Sequence, residues 1–285
     1  MHRIQSVGVL GCGLMGSGIA QVCLRAGLTT VVRELSDDLA AAGRARIESS
    51  FEQAVRRGKL DAAGRDQALT GLRTCVDVEP LAQCDLVIEA IVEDLEEKRK
   101  TFVAVDAVAK KTAIFASNTS SLTLTQLAMA TSRPERLIGL HFFNPVPVMR
   151  LVEVVRTLAT DDKVVACAQA FVRSLDKEAI LCGDNSGFIV NRLLVPYLLD
   201  AIRAFENGVG TVEDIDRGMQ LGCAHPMGPF TLLDFVGLDT VFYIANIMFD
   251  EYRERRFAPP PLLKQMVQAG RLGRKSGRGF YDYNA

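Results

Sequence analysis

Hydrophobic positions in the first part of the chain fall into short runs closed by glycine or polar turns, the pattern of strands buried on both faces. Residues 4–10 form the first run and end in Gly11-Cys12-Gly13-Leu14-Met15-Gly16; residues 17–25 follow with helical character and stop at Gly27. The β-branched segment 29–32 is the next strand, with Glu34 close behind it. Strand, glycine turn, helix, strand and acid in that order are what a right-handed βαβ crossover in a parallel sheet requires. Residues 36–70 are polar and helix-favouring with a break near Gly58, which predicts two antiparallel helices inserted before the third strand. Strands resume at 86–90, 113–116, 137–141 and 151–155, with a helix over 95–108 between the first two, and the strand signal fades after about Leu181.

Asp184-Asn185-Ser186-Gly187 reads as a closing turn. Beyond it the pattern is helical: 188–206 carries an apolar stripe that Pro196 should kink, Thr211 and Asp214 mark a helix start, and Gly228-Pro229 opens a helix over 230–236. The fold class expected is α/β: a Rossmann-type dinucleotide-binding domain with a helical-pair insertion over 1–184, then a helical C-terminal domain over 185–285.

Composition narrows the function. The 285 residues are 48% hydrophobic and 24% charged, ordinary for a globular protein. Lys+Arg 33 against Asp+Glu 34 gives a net charge of -1, so no global field draws this chain to nucleic acid, and an anionic ligand needs a local patch. Segment 36–70 supplies one, because Arg44, Arg46, Arg56, Arg57, Lys59 and Arg65 outnumber its acids. The seven cysteines include no C-x-x-C pair, which fits a reduced cytoplasmic setting and assigns no residue to a metal. The apolar start is broken by glycines spaced like a loop, unlike a secretory signal, and no apolar run of about 18 residues predicts a membrane span.

Within Gly11-x-Gly13-x-x-Gly16, the first glycine permits the tight turn, the second lets backbone approach a pyrophosphate, and the third lets the helix pack on the strand. Glu34, after the second strand, suits a ribose diol and repels a 2'-phosphate, which favours NAD; Arg33 beside it leaves NADP open. Of three histidines (His2, His141, His225), His141 ends a strand and enters Phe142-Phe143-Asn144-Pro145, at the edge where open sheets place ligands. Glu153 sits inside Leu151-Val152-Glu153-Val154-Val155, where an unpaired carboxylate is costly. Were these neighbouring strands, Glu153 would orient His141 as a general base; otherwise the two are a strand-end histidine and a solvated edge charge. Ser117-Asn118-Thr119-Ser120-Ser121 either caps a helix near Leu122 or faces a ligand.

Six linked motifs, Gly11 to Gly16, Glu89 to Glu93, Ser117 to Ser121, His141 to Met149, Gly187 to Arg192 and Gly273 to Tyr281, resemble those of the L-3-hydroxyacyl-CoA dehydrogenases, including bacterial 3-hydroxybutyryl-CoA dehydrogenases, across essentially the whole chain. The resemblance implies an oxidoreductase of fatty acid metabolism acting with NAD on a short-chain acyl-CoA, as a cytoplasmic homodimer. It implies His141 as the base and Glu153 as its partner, with Ser120 and Asn191 on the substrate oxygen, the latter from the helical domain at a domain cleft. Gly11, Gly13, Leu14, Met15, Gly16, Glu34, Glu93, Lys98, Ser120, Asn144 and Lys275 would contact the cofactor. Ser50 and Arg57 match positions that touch coenzyme A, though lysine is often found in place of Arg57. A free hydroxy-acid or sugar-acid dehydrogenase and a non-catalytic nucleotide-binding or structural relative are the rival readings.

Overall fold

The first strand, β1 (Ser6–Leu10), forms because both of its faces are buried, Val7 and Val9 on one and Gly8 and Leu10 on the other, and it runs straight into the glycine loop and helix α1 (Leu14–Arg25). The computed structural model describes residues 3–284, so His2 lies outside the described residues. Next come β2 (Thr29–Arg33), α2 (Asp37–Arg56), α3 (Ala62–Thr70), β3 (Leu72–Cys75), β4 (Leu86–Glu89), α4 (Leu95–Val108), β5 (Ile114–Ser117), α5 (Leu124–Ala128), β6 (Leu137–Phe142), β7 (Leu151–Arg156), α6 (Asp162–Ser174) and β8 (Glu178–Gly183). The strands make one sheet in the order β3-β2-β1-β4-β5-β6-β7-β8, parallel through β6, with β7 antiparallel to β6 and parallel to β8. The order 3-2-1-4-5-6 is that of the doubly wound dinucleotide-binding sheet, and it brings the ends of β1, β4, β5 and β6 to one edge.

Local chemistry sets the helix boundaries. Ser36 accepts from the Leu39 amide to start α2, and Asp94 accepts from the Glu97 amide to start α4 with acids in its first turn. Gly58, at φ 65°, lies in the turn that separates α2 from α3. Two strands were not foreseen. β3 (Leu-Arg-Thr-Cys) lines one edge of the sheet with little apolar content, and β8 lies at the other edge with most of its residues exposed. Edge strands carry weaker hydrophobic patterning because one side has no partner strand.

The chain divides into two compact units, the first ending at Asn185 and the second beginning at Ser186. The second is all helix: α7 (Val190–Glu206), α8 (Val212–Cys223), α9 (Pro229–Val236), α10 (Leu238–Tyr252) and α11 (Pro261–Gln268). Helix α7 continues through Pro196 as one element. The core of this unit gathers Leu199, Ile202, Phe230, Leu233, Leu238 and Met248. Its tail is tied down by buried acids: Asp234 accepts from the Phe280 and Tyr281 amides and the Tyr283 hydroxyl, and Asp216 from the Tyr281 hydroxyl. Among the described residues no single helix is long and apolar enough to cross a membrane.

Candidate active site

The glycine loop leaves β1 with Gly11 at φ 85°, a left-handed conformation that favours glycine. A Cβ at Gly16 would overlap the Gly11 carbonyl oxygen, whereas around Gly13 the space is open. Helix α1 begins at Gly13 with no side chain bonded to its first amides, leaving N–H donors for an anion. Leu14 and Met15 make its first turn. Glu34 turns its carboxylate to the same loop, accepting from the Cys12 amide. Arg33 is tied elsewhere, its Nε donating to the Val76 carbonyl at 2.8 Å. Open backbone, a helix N-terminus and an acid at the ribose position fit an NAD molecule.

Across the sheet, β6 and β7 pair so that His141 lies directly opposite Glu153. His141 Nδ1 is 2.7 Å from Glu153 Oε2, and the residues are 4% and 1% exposed. An ionised carboxylate can only accept, so opposite an ionised Glu153 the proton sits on Nδ1, and in the neutral ring Nε2 is then the accepting nitrogen. Ser120 Oγ stands 3.0 Å from that Nε2. The serine loop is fixed to β6 by Asn118, whose Oδ1 accepts from the Phe142 amide at 2.9 Å, and the Phe143 ring packs against the imidazole at 4.6 Å between centroids. The register therefore makes the two strands neighbours and brings the His141 and Glu153 side chains into contact.

Ser117 to Ser121 does not cap a helix at Leu122. Helix α5 starts at Leu124, and its first amides donate instead to the Asp184 carboxylate at 2.9 and 2.7 Å. The loop turns to Glu93, which accepts from Thr119 Oγ1, from Ser121 Oγ at 3.1 Å and from the Ser120 amide at 3.3 Å. Burial alone would raise the Glu93 carboxyl, but the Lys98 ammonium and these hydroxyls outweigh it and hold it below the usual glutamate range. Lys98, 1% exposed, lies 3.0 Å from Glu93 and 2.6 Å from Glu89. Glu89 is fully buried and also accepts from Ser117 Oγ and the Ile91 amide. Sequence reasoning gave Glu89 no role of its own, although an acid in an apolar strand was the signal that found Glu153.

A cleft of about 400 Å³ in the first unit is lined by α1, α2 and the loop after β6. Arg25, Arg46, Arg57 and Lys59 line it with no acidic side chain among the lining residues, and Asn144 and Leu14 reach it too. Ser50 is there, donating to Gln21 Oε1 at 2.7 Å. The first unit thus holds every candidate residue except two. Asn191 stands in the first turn of α7, and Lys275 lies on a short helical turn, its Nζ 2.6 Å from Asp239.

The described family domains match in tandem: 3-hydroxyacyl-CoA dehydrogenase, NAD binding domain, over residues 6–185, and the C-terminal domain of the same family over 187–283. A 3-hydroxybutyryl-CoA dehydrogenase of Mycobacterium tuberculosis is 52% identical over 98% of this chain and 99% of its own length. The crystal structure of M. tuberculosis FadB2 superposes with a TM-score of 0.96 at 52% identity, covering 99% of this chain and 100% of that one. That of (S)-3-hydroxybutyryl-CoA dehydrogenase PaaH1 from Ralstonia eutropha gives 0.95 at 41% identity, covering 98% and 99%. With both domains matched end to end and a glycine loop shaped for NAD, the chain belongs to the NAD-dependent 3-hydroxyacyl-CoA dehydrogenase family.

Proposed function

We propose that this protein interconverts a short-chain L-3-hydroxyacyl-CoA, such as 3-hydroxybutyryl-CoA, and the 3-ketoacyl-CoA. The observation that carries the reading is the chain from half-buried Ser120 to the buried His141–Glu153 pair, at the sheet edge where the glycine loop also ends. His141 Nε2 takes the proton of the substrate 3-hydroxyl, and the Ser120 hydroxyl donates to the same oxygen while the C3–O bond becomes a carbonyl. Glu153 holds the imidazole in one tautomer and offsets the positive charge that the ring acquires. Held by the Gly11–Gly16 loop and Glu34, NAD would supply the acceptor for the hydride of C3. In the reverse direction His141 returns the proton to the carbonyl oxygen.

Asn191 joins Ser120 on the substrate oxygen in this reading, and Glu93, Lys98, Asn144 and Lys275 contact the cofactor. Coenzyme A lies in the cationic cleft, where Ser50 and Arg57 meet its polar groups; four cations without a lining acid support a polyanionic ligand there. Glu34 facing the loop and Arg33 tied to Val76 support NAD over NADP. Cysteines that form no disulfide support a reducing cytoplasm, and the exposed Leu193, Leu221 and Phe235 of the second unit support a homodimer. The test follows nicotinamide absorbance with acetoacetyl-CoA or free acetoacetate and NADH or NADPH. Rapid oxidation of NADH with the thioester alone is expected. Equal or faster turnover of the free acid would replace this reading with a hydroxy-acid dehydrogenase.

A further inference from the structure

We infer that Arg46 couples the two substrate sites, so that a coenzyme A phosphate in the cationic cleft and the dinucleotide on the glycine loop strengthen each other's binding. The inference rests on the reading of that cleft as the acyl-CoA site.

Its basis is the face that α2 turns toward the loop. At Gly43 the helix approaches so closely that an added Cβ would lie 2.6 Å from the Cys12 Cβ. One turn further along the same face, Arg46 Nη1 donates to the Cys12 carbonyl. The amide of that same Cys12 donates to Glu34. Arg46, Cys12 and Glu34 therefore form a series from the inserted helix, through the glycine loop, to the carboxylate that meets the ribose. Arg46 also lines the cleft, next to Ser49, Ser50 and Gln53. Since Nη1 holds the loop, the remaining guanidinium donors are available to a phosphate, and both contacts fit one orientation of a planar fork.

The sign of the coupling follows. When a ribose diol claims Glu34, the Cys12 amide gives up its acceptor, and the Arg46 bond to the Cys12 carbonyl, on the next peptide, is a polar tether that keeps the residue in place. A phosphate that fixes the guanidinium makes that tether firmer, and an ordered loop in turn presents the guanidinium to the phosphate. Linkage requires both effects to have the same size. Lysine has one nitrogen on a flexible stem and does not reproduce the two-sided contact.

The test is NADH fluorescence titration of the whole enzyme, alone and with saturating free coenzyme A, in wild type, Arg46→Gln and Arg46→Lys. Coenzyme A should tighten NADH binding about fivefold or more in wild type, the lower part of the usual coupling range, and NADH should tighten coenzyme A by the same factor. Both variants should bind coenzyme A more weakly, since a phosphate contact is lost, and titrations carried to saturation should then show a factor near unity, a change that a merely structural role for Arg46 would not produce. Coenzyme A that binds wild type without changing the NADH affinity overturns the coupling, and a variant that keeps the factor overturns the role of Arg46. Failure of coenzyme A to bind wild type at all removes the acyl-CoA reading of the cleft and this inference with it.

Discussion

His141 and Glu153 face each other from adjacent antiparallel strands, so the distance between them is set by backbone register and not by flexible side chains. In Glu153→Gln the amide keeps the shape but cannot offset the charge that the imidazole gains. Turnover of acetoacetyl-CoA should fall roughly 10²–10⁴-fold with little change in KM, and the pH-rate profile should move. An unmoved profile would separate the carboxylate from the proton transfer. The buried Glu89–Lys98 pair makes a different prediction, because removing Glu89 leaves the buried Lys98 ammonium with Glu93 alone. With Glu93 still paired to Lys98, Glu89→Gln should cost at most about 3–5 kcal/mol in urea unfolding, and Glu89→Leu with Lys98→Leu clearly less. Glu153 could be read from sequence because an acid in an apolar run demands a partner and His141 stood ready beyond the Pro-rich turn. Glu89 makes the same demand, but its partner is on α4 and nothing in the spacing announces it.

The elements around the site are fixed by close approach and by buried acids. Gly16→Ala drives a methyl into the Gly11 carbonyl, so the turn between β1 and α1 must shift. NADH binding should weaken by at least an order of magnitude in a titration, about 1.4 kcal/mol or more, with the fold kept by circular dichroism. Asp85 pins the start of β1 to β4, accepting from the Gln5 and Ser6 amides and from Lys110. Burial opposes its charge, but Lys110 and the amides win and bring its pKa to about 2. Because the folded value lies below an unfolded one of about 3.9, this stability is present above about pH 4 and lost as pH falls through about 2. Asp85→Asn should unfold more easily in urea by about 1–2 kcal/mol at neutral pH, discounted for partial solvation, and the gap should close as pH falls below about 4. A constant gap would mean packing, not charge, accounts for the loss. Central strands were readable from their apolar runs. β3 and β8, at the edges, were not, nor was the capping of α5 by Asp184, far along the chain.

For the molecule as a whole, division of labour follows the sequence: the glycine loop, the Ser120–His141–Glu153 chain and the cationic cleft all belong to the first unit. The second unit carries Asn191, and buried Asp234 fixes the tail on the far side of the turn that bears Lys275. Alternating strands and helices announced the first unit, and glycine and proline punctuation the helices of the second. The tail lock was hidden, since Asp234 lies within an apolar helix and its partners are the backbone amides of Phe280 and Tyr281. Proton transfer by His141 is tested most directly by reducing acetoacetyl-CoA with NADH in wild type and His141→Gln, alongside NADH affinity for both. Rapid turnover in wild type and a loss of roughly 10²–10⁴-fold in the variant, with NADH affinity kept, is the predicted result. Turnover within a few-fold of wild type in His141→Gln would contradict it.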